Sequence, residues 1–300
     1  MNSTQLLEKM AGIFVPICTP FGDDEAVDYD ALVFNLGRYS HSGVLGYLAL
    51  GSNGENRSLT EEEKLQVLST IISHKGVGQV VMACATYDAQ RDTERFLQQA
   101  ADLGADFGLV LSPGYFRKQM TEEVLYRYFL TLADASPIPL LLYNAPGFCG
   151  VTISPALVGR LAEHPNIVGM KDSAPSGIEQ FLKFESESFH VLAGSAAFLF
   201  PAMMNRSVGG TVSLANSFPN IVMELFRYGQ ARDDVRGVPL HARVTRINKA
   251  ISGPYGPAGV KAAMNLGGFK GGIPRRPLLP LSEAQVEKIR QILVEEEVLS

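Results

Sequence analysis

Cysteine is scarce in this chain of 300 residues, and the three present, Cys18, Cys84 and Cys149, stand far apart and outside any C-x-x-C spacing. An odd, dispersed set argues against a disulfide framework or a zinc knuckle and points to a reducing cytoplasm. Histidine is equally thin: His41, His74, His164, His190 and His241 form no H-x-x-x-H or facial-triad pattern, so no metal site is expected. Basic clusters are missing too. Net charge is −5 and the pI is near 5.6, which argues against nucleic acid or an anionic membrane as the main partner. No apolar run reaches the ~18 residues of a membrane span. The opening Met1-Asn2-Ser3-Thr4-Gln5 lacks a basic region leading into an apolar one, so no signal peptide is expected. These absences point to a soluble protein of the cytoplasm.

What is present is a large core and a repeated pattern. The chain is 46% hydrophobic, with 29 glycines, and α/β barrels of ~200–250 residues form single domains. Gly12–Cys18, Val44–Leu50, Val80–Ala85, Phe107–Leu111, Pro139–Tyr143, Ile167–Lys171, His190–Ala193 and Gly210–Leu214 read as eight buried strands. Amphipathic segments separate them. Thr60 and Glu63 make a T-x-x-E capping box, and Ser154-Pro155 sets a cap before a proline at the first helical position. Within Asp88–Gly104, the residues Phe96, Leu97, Ala100 and Leu103 recur at helical spacing. Eight strand-helix repeats predict parallel strands, and eight is the number that closes a (β/α)8 TIM barrel. A doubly wound open sheet is the rival, because periodicity does not show closure. Beyond residue 216 the strand signal stops. Phe218–Gly229, Ala231–Ile251, Gly256–Leu266 and a segment opened by the box Ser282/Gln285 read as helices, with Gly267–Pro280 as a loop. The expected division is a barrel over 1–225 carrying the active site and a helical extension over 226–300.

In a closed parallel barrel, chemistry sits at the C-terminal strand ends. Four ends carry unusual groups: Gly51-Ser52-Asn53-Gly54-Glu55, Ser112-Pro113-Gly114-Tyr115-Phe116, Tyr143-Asn144-Ala145-Pro146 and Gly169-Met170-Lys171-Asp172-Ser173. Lys171 follows an unbroken apolar run, which points its amine into the barrel mouth. A lysine at the ordinary pKa of ~10.4 is protonated at pH 7 and cannot attack a carbonyl. Burial disfavours the charged form and frees the lone pair. The plain alternative is a strand-end lysine that reaches solvent or pairs with Asp172. Tyr143 ends the adjacent strand, where its hydroxyl could reach Lys171 and carry protons; the plain alternative is a core aromatic. Ser52-Asn53 lies in a turn whose amides can hold a carboxylate, although a bare Gly-Ser-Asn-Gly turn is the commoner meaning.

Together the loops G-S-N-G-E, S-P-x-Y-F, Y-N-A-P and V-G-M-K-D-S, in that order, with Tyr143 and Lys171 separated by 28 residues, resemble the dihydrodipicolinate synthase/N-acetylneuraminate lyase family. The similarity runs from about Gly12 to the C-terminal helices. It implies a barrel with a helical extension, assembled as a homotetramer, a dimer of dimers. It also implies a class I pyruvate aldolase that needs no cofactor. Lys171 would form an imine with pyruvate or another 2-oxo acid, and Tyr143 would donate and accept protons. Ser52 and Tyr115 would complete a relay, Tyr115 coming from a neighbouring subunit. Ser52 and Asn53 would hold the pyruvyl carboxylate, and Val212 would line the site.

Departures from the family pattern narrow the substrate. Synthases of the lysine pathway place an arginine two residues after the Y-N-x-P proline, where Phe148 stands here, and phenylalanine offers no fork of donors. Sialic acid lyases carry acidic residues after the strand 7 glycine, where this chain reads Gly194-Ser195-Ala196-Ala197. The motif wording is most similar to 4-hydroxy-2-oxoglutarate aldolases, which implies that Ser173 touches the distal carboxylate. Against this aldolase reading stand dihydrodipicolinate synthesis, dehydration of a 2-oxo sugar acid, and a barrel that only binds a 2-oxo acid. The ring of Phe148 would also suit an apolar or aromatic aldehyde.

Overall fold

A computed structural model describes residues 1–299. Eight strands close a parallel barrel in chain order: β1 (Ile13–Pro16), β2 (Gly46–Ala49), β3 (Val80–Ala85), β4 (Phe107–Leu111), β5 (Leu140–Asn144), β6 (Ile167–Asp172), β7 (His190–Ala193) and β8 (Gly209–Thr211). Closure removes the open-sheet alternative. Every strand residue is buried, because helices cover the outside of the barrel while side chains fill its interior. That two-sided burial is why the strands read as continuous apolar runs.

The last strand is shorter than its sequence suggests. Gly210–Leu214 was the expected span, but pairing ends at Thr211 and Ser213–Asn216 coils into a 3-10 turn. Asn216 explains the early stop. Its side chain accepts from the Cys18 amide (3.1 Å) and donates to the Pro16 carbonyl (2.9 Å), taking up β1 backbone groups next to β8. The strands β1 and β2 are likewise shorter than the expected Gly12–Cys18 and Val44–Leu50.

Helix starts follow their caps. Thr60 and Glu63 form the reciprocal box, Ser154 accepts from the Leu157 amide, and Ser282 pairs with Gln285. The helix foreseen from Asp88 instead spans Gln90–Leu103, since Asp88 accepts from the Gly114 and Tyr115 amides. The expected helices Ala231–Ile251 and Gly256–Leu266 run as one element, Asp234–Leu266, broken at Gly256 with φ 52° and ψ −136°. Only glycine adopts such a conformation at little cost. Pro254 and Pro257 flank the break and withhold backbone donors. Among the described residues, no helix is long and apolar enough to cross a membrane.

Candidate active site

Register places the two reactive side chains side by side. In the β5–β6 ladder, Tyr143 is the Cα partner of Lys171. Equivalent positions on adjacent parallel strands point to the same face, so both enter the barrel mouth. Lys171 is 5% exposed and Tyr143 2%. The Lys171 Nζ lies over the phenol, 4.6 Å from the ring centroid. The Tyr143 hydroxyl stands 3.5 Å from Ser52 Oγ, and Lys171 is not among its hydrogen-bond partners, so the direct contact expected from the strand ends is a face-on approach to the ring. Among the described residues, no carboxylate lies within 4.0 Å of the Lys171 amine, and its neighbour Asp172 forms no ion pair with it.

Asp172 serves another purpose. It is fully buried, accepts from Asn144 Nδ2 (2.7 Å) and the Ala174 amide (3.2 Å), and leaves Oδ2 without a partner. Burial pushes its carboxyl up to about 6, against the opposing effect of those hydrogen bonds. Asn144 in turn accepts from the Ile153 amide, so this pair ties the loop after β5 to the end of β6.

The loop after β2 carries Ser52 and Asn53 on a 3-10 turn bounded by two left-handed residues other than glycine, Leu50 (φ 59°) and Glu55 (φ 51°). Such conformations cost ~1–3 kcal/mol each and persist only where surroundings fix them. Here they are fixed from several sides. Asn56 Nδ2 donates to the Leu50 carbonyl, Thr19 Oγ1 donates to the Gly54 carbonyl (2.8 Å), and Glu55 pairs with Lys261 at 2.5 Å. Asn53 Nδ2 donates to Ser213 Oγ at 2.7 Å.

These groups surround a cavity of about 220 Å³ at the C-terminal mouth. Ser52, Asn53, Tyr143, Phe148, Lys171 and Ser173 all line it. Two residues named from the resemblance do not. Val212 is completely buried and is not on the wall, whereas its neighbour Ser213 is. Tyr115 is 79% exposed outside the cavity, its ring edge-on to Phe116. Larger cavities exist, among them one of about 670 Å³ beside Arg38 and Phe269, but that one gathers neither an amine nor a phenol poised for chemistry.

The sequence reading missed the wall supplied by the extension. Asn248, Ser252, Gly256 and Pro257 line the same cavity, together with Ser195. The signal was Pro254-Tyr255-Gly256-Pro257, a break in an otherwise helical stretch, but it did not say which way the broken helix would lean.

A buried amine beside a phenol, a hydroxyl and amide donors, at the mouth of an eight-stranded barrel, is an arrangement suited to imine chemistry. The sequence pattern of the Dihydrodipicolinate synthetase family matches residues 9–296. The chain is 34% identical to a 4-hydroxy-tetrahydrodipicolinate synthase of Methanoculleus marisnigri, covering 94% of this chain and 98% of that one. It is 33% identical to the synthase of Xanthomonas axonopodis, over 92% and 91% of the two chains. Among solved structures, the chloride-inhibited dihydrodipicolinate synthase from Acinetobacter baumannii, complexed with pyruvate, superposes with a TM-score of 0.90 at 29% identity, covering 97% and 100%. The E. coli prophage protein YagE, also in complex with pyruvate, gives 0.89 at 26%, covering 96% and 98%. The chain belongs to the dihydrodipicolinate synthetase family of Schiff-base-forming lyases. The motif wording favoured a 4-hydroxy-2-oxoglutarate aldolase. The relatives instead carry the synthase name.

Proposed function

We propose that this protein joins pyruvate to an aldehyde, or splits such an adduct, through an imine on Lys171. The observation that carries the reading is the Lys171 amine held 4.6 Å over the Tyr143 ring, in a cavity, with no carboxylate paired to it among the described residues. The amine in its neutral form adds to the pyruvate carbonyl, and loss of water gives the imine. The protonated imine withdraws electrons, so a methyl proton leaves and an enamine forms. Its carbon attacks the aldehyde, whose oxygen takes a proton, and hydrolysis releases product and amine. Tyr143 carries the protons, relayed through Ser52. Ser52 and Asn53 hold the pyruvyl carboxylate with turn amides and side-chain donors.

Tyr115, exposed beside Phe116, completes the relay of a neighbouring copy in a homotetramer; sedimentation of the purified protein tests the assembly. Three free, buried cysteines suit the cytoplasm.

Synthesis of 4-hydroxy-tetrahydrodipicolinate is the reading the named relatives support, and pyruvate in two solved neighbours supports the first substrate. A second reading, aldol cleavage of a 4-hydroxy-2-oxo acid, is favoured by Phe148, which occupies the cavity rim where a synthase would present an arginine. Borohydride reduction with pyruvate is expected to leave a covalent adduct on Lys171, found by peptide mass spectrometry. Lys171→Ala is expected to abolish it. An adduct on another lysine, or none, would refute the proposal. Coupled assays with aspartate semialdehyde and with 4-hydroxy-2-oxoglutarate then divide the two readings.

A further inference from the structure

The turn that carries Ser52 and Asn53 is held from a distant part of the chain. Two successive 3-10 turns, Ser52–Gly54 and Asn56–Ser58, join strand β2 to the helix that begins at Glu61. Short 3-10 pieces have poor hydrogen-bond geometry, and the left-handed Glu55 between them adds conformational cost. Contacts from outside must therefore set where these turns sit.

Arg275 stands 220 residues beyond Glu55 in the chain and supplies several of those contacts. Its backbone amide donates to Glu55 Oε2 at 2.9 Å. Its guanidinium donates to the Ser58 carbonyl at 2.7 Å and to the two Glu63 oxygens at 2.7 and 2.8 Å. It also donates twice to the Glu25 carbonyl, at 3.0 and 2.5 Å. Each of the five side-chain N–H groups thus has an acceptor. The guanidinium carbon lies 4.3 Å from the Phe21 ring centroid, and the Ile273 amide donates to the Phe21 carbonyl at 3.1 Å.

One residue therefore grips the segment after β2 at the end of its first turn, at the end of its second, and at Glu63 in the helix that follows. It anchors the same segment to the loop after β1 through Glu25 and Phe21. A lysine has three donors on one nitrogen and no planar fork, so it cannot meet all these acceptors. Arg275 is not on the cavity wall, so its influence on the mouth passes through the turn.

We infer that Arg275 is a positioning residue for pyruvate. By fixing Glu55 and Ser58 it sets the place of the Ser52 and Asn53 donors, and with it the hold on the pyruvyl carboxylate. This rests on the imine chemistry and the carboxylate seat proposed above. The Lys171 amine is placed by the β5–β6 ladder instead, so a carbonyl compound without a carboxylate should be indifferent to Arg275.

Reductive trapping with cyanoborohydride tests this, with the rate of labelling at Lys171 followed by peptide mass spectrometry. Pyruvate is compared with acetone, which offers a carbonyl but no carboxylate. No adduct with pyruvate on the unsubstituted protein would overturn the imine reading and the inference together. With that adduct established, the ratio of the pyruvate rate to the acetone rate judges the inference alone. It is expected to fall at least about 10-fold in Arg275→Ala and about 3- to 10-fold in Arg275→Lys, the value of one or two hydrogen bonds. Should the alanine variant not fold, Arg275→Lys decides, because it keeps a positive charge facing Glu63. A purely structural role would slow both ligands alike. An unchanged ratio in either folded variant would overturn the inference.

Discussion

Replacing Lys261 by methionine removes a charge from a place that water does not reach. The amine lies 2.5 Å from a Glu55 oxygen, with side chains 1% and 2% exposed. It also donates to the Ile273 carbonyl at 2.7 Å, and its charge stands 4.3 Å from the Phe21 ring centroid. Burial pulls the Lys261 pKa down, and the Glu55 charge acts against that pull. Two unit charges about 4 Å apart attract by ~4 kcal/mol at an effective dielectric of ~20, while each ion gives up several kcal/mol of hydration. The pair as a whole is therefore close to neutral against an apolar pair of the same volume. Its halves are not. Lys261→Met leaves the Glu55 carboxylate buried with only the Arg275 amide, 2.9 Å from its other oxygen, as a partner. The expected loss is ~3–5 kcal/mol.

Glu55→Gln together with Lys261→Met removes both charges and should cost no more than the single change, so a double-mutant cycle should show strong coupling. Urea unfolding of the four proteins measures it. A functional readout accompanies the loss, because Glu55 ends the turn that carries Ser52 and Asn53. KM for pyruvate should rise about 10-fold or more in Lys261→Met and recover in the double variant. A single variant that loses under ~1 kcal/mol, or a double variant whose losses simply add, would refute the reasoning.

Asp172, whose carboxyl is raised from 3.8 to about 6 by burial, holds a proton in the folded chain that the unfolded chain releases between those values. Its contribution is therefore full below pH ~4 and lost as pH rises through ~6, a swing on the order of 3 kcal/mol. Asp172→Asn keeps an acceptor for Asn144, so it should raise the urea midpoint at pH 7.5 and give little or no gain at pH 4; an equal difference at both pH values would contradict this. Gly194→Ala would drive a Cβ into Ser173 Oγ and the Asp172 carbonyl, and kcat/KM for the aldehyde is expected to fall at least about 10-fold. An unchanged value would show that the wall yields there. Phe148→Arg puts a guanidinium on the cavity rim, and the ratio of kcat/KM for aspartate semialdehyde over glyceraldehyde should rise at least about 10-fold; a fixed ratio would place the selection elsewhere.

The barrel was legible because two-sided burial leaves apolar runs that turn chemistry punctuates, and Val80–Ala85, Phe107–Leu111 and His190–Ala193 fall where the pattern put them. The caps at Thr60, Ser154 and Ser282 were legible for a similar reason, since each involves partners three residues away. What escaped depends on distant contacts. The early end of β8 follows from Asn216 reaching β1, about two hundred residues earlier in the chain. Asn248 and Ser252 read as ordinary polar positions on a helix until the break at Gly256 turns that helix toward the mouth. Glu55 was visible as part of a motif, but its partner lies in Lys261, far along the chain.

Chemistry and selectivity consequently have different structural origins. The amine and the phenol stand opposite each other on one rung of the β5–β6 ladder, and a slip of one strand by one residue there would turn its side chain out of the mouth. The distal wall is suspended on a helix outside the barrel, aimed by one left-handed glycine between two prolines. Asn248 and Ser252 stand on that helix and not on the β5–β6 ladder. A fold arranged this way can change aldehydes with few substitutions and keep one mechanism, which is why similarity along the whole chain identifies the reaction type more firmly than the second substrate.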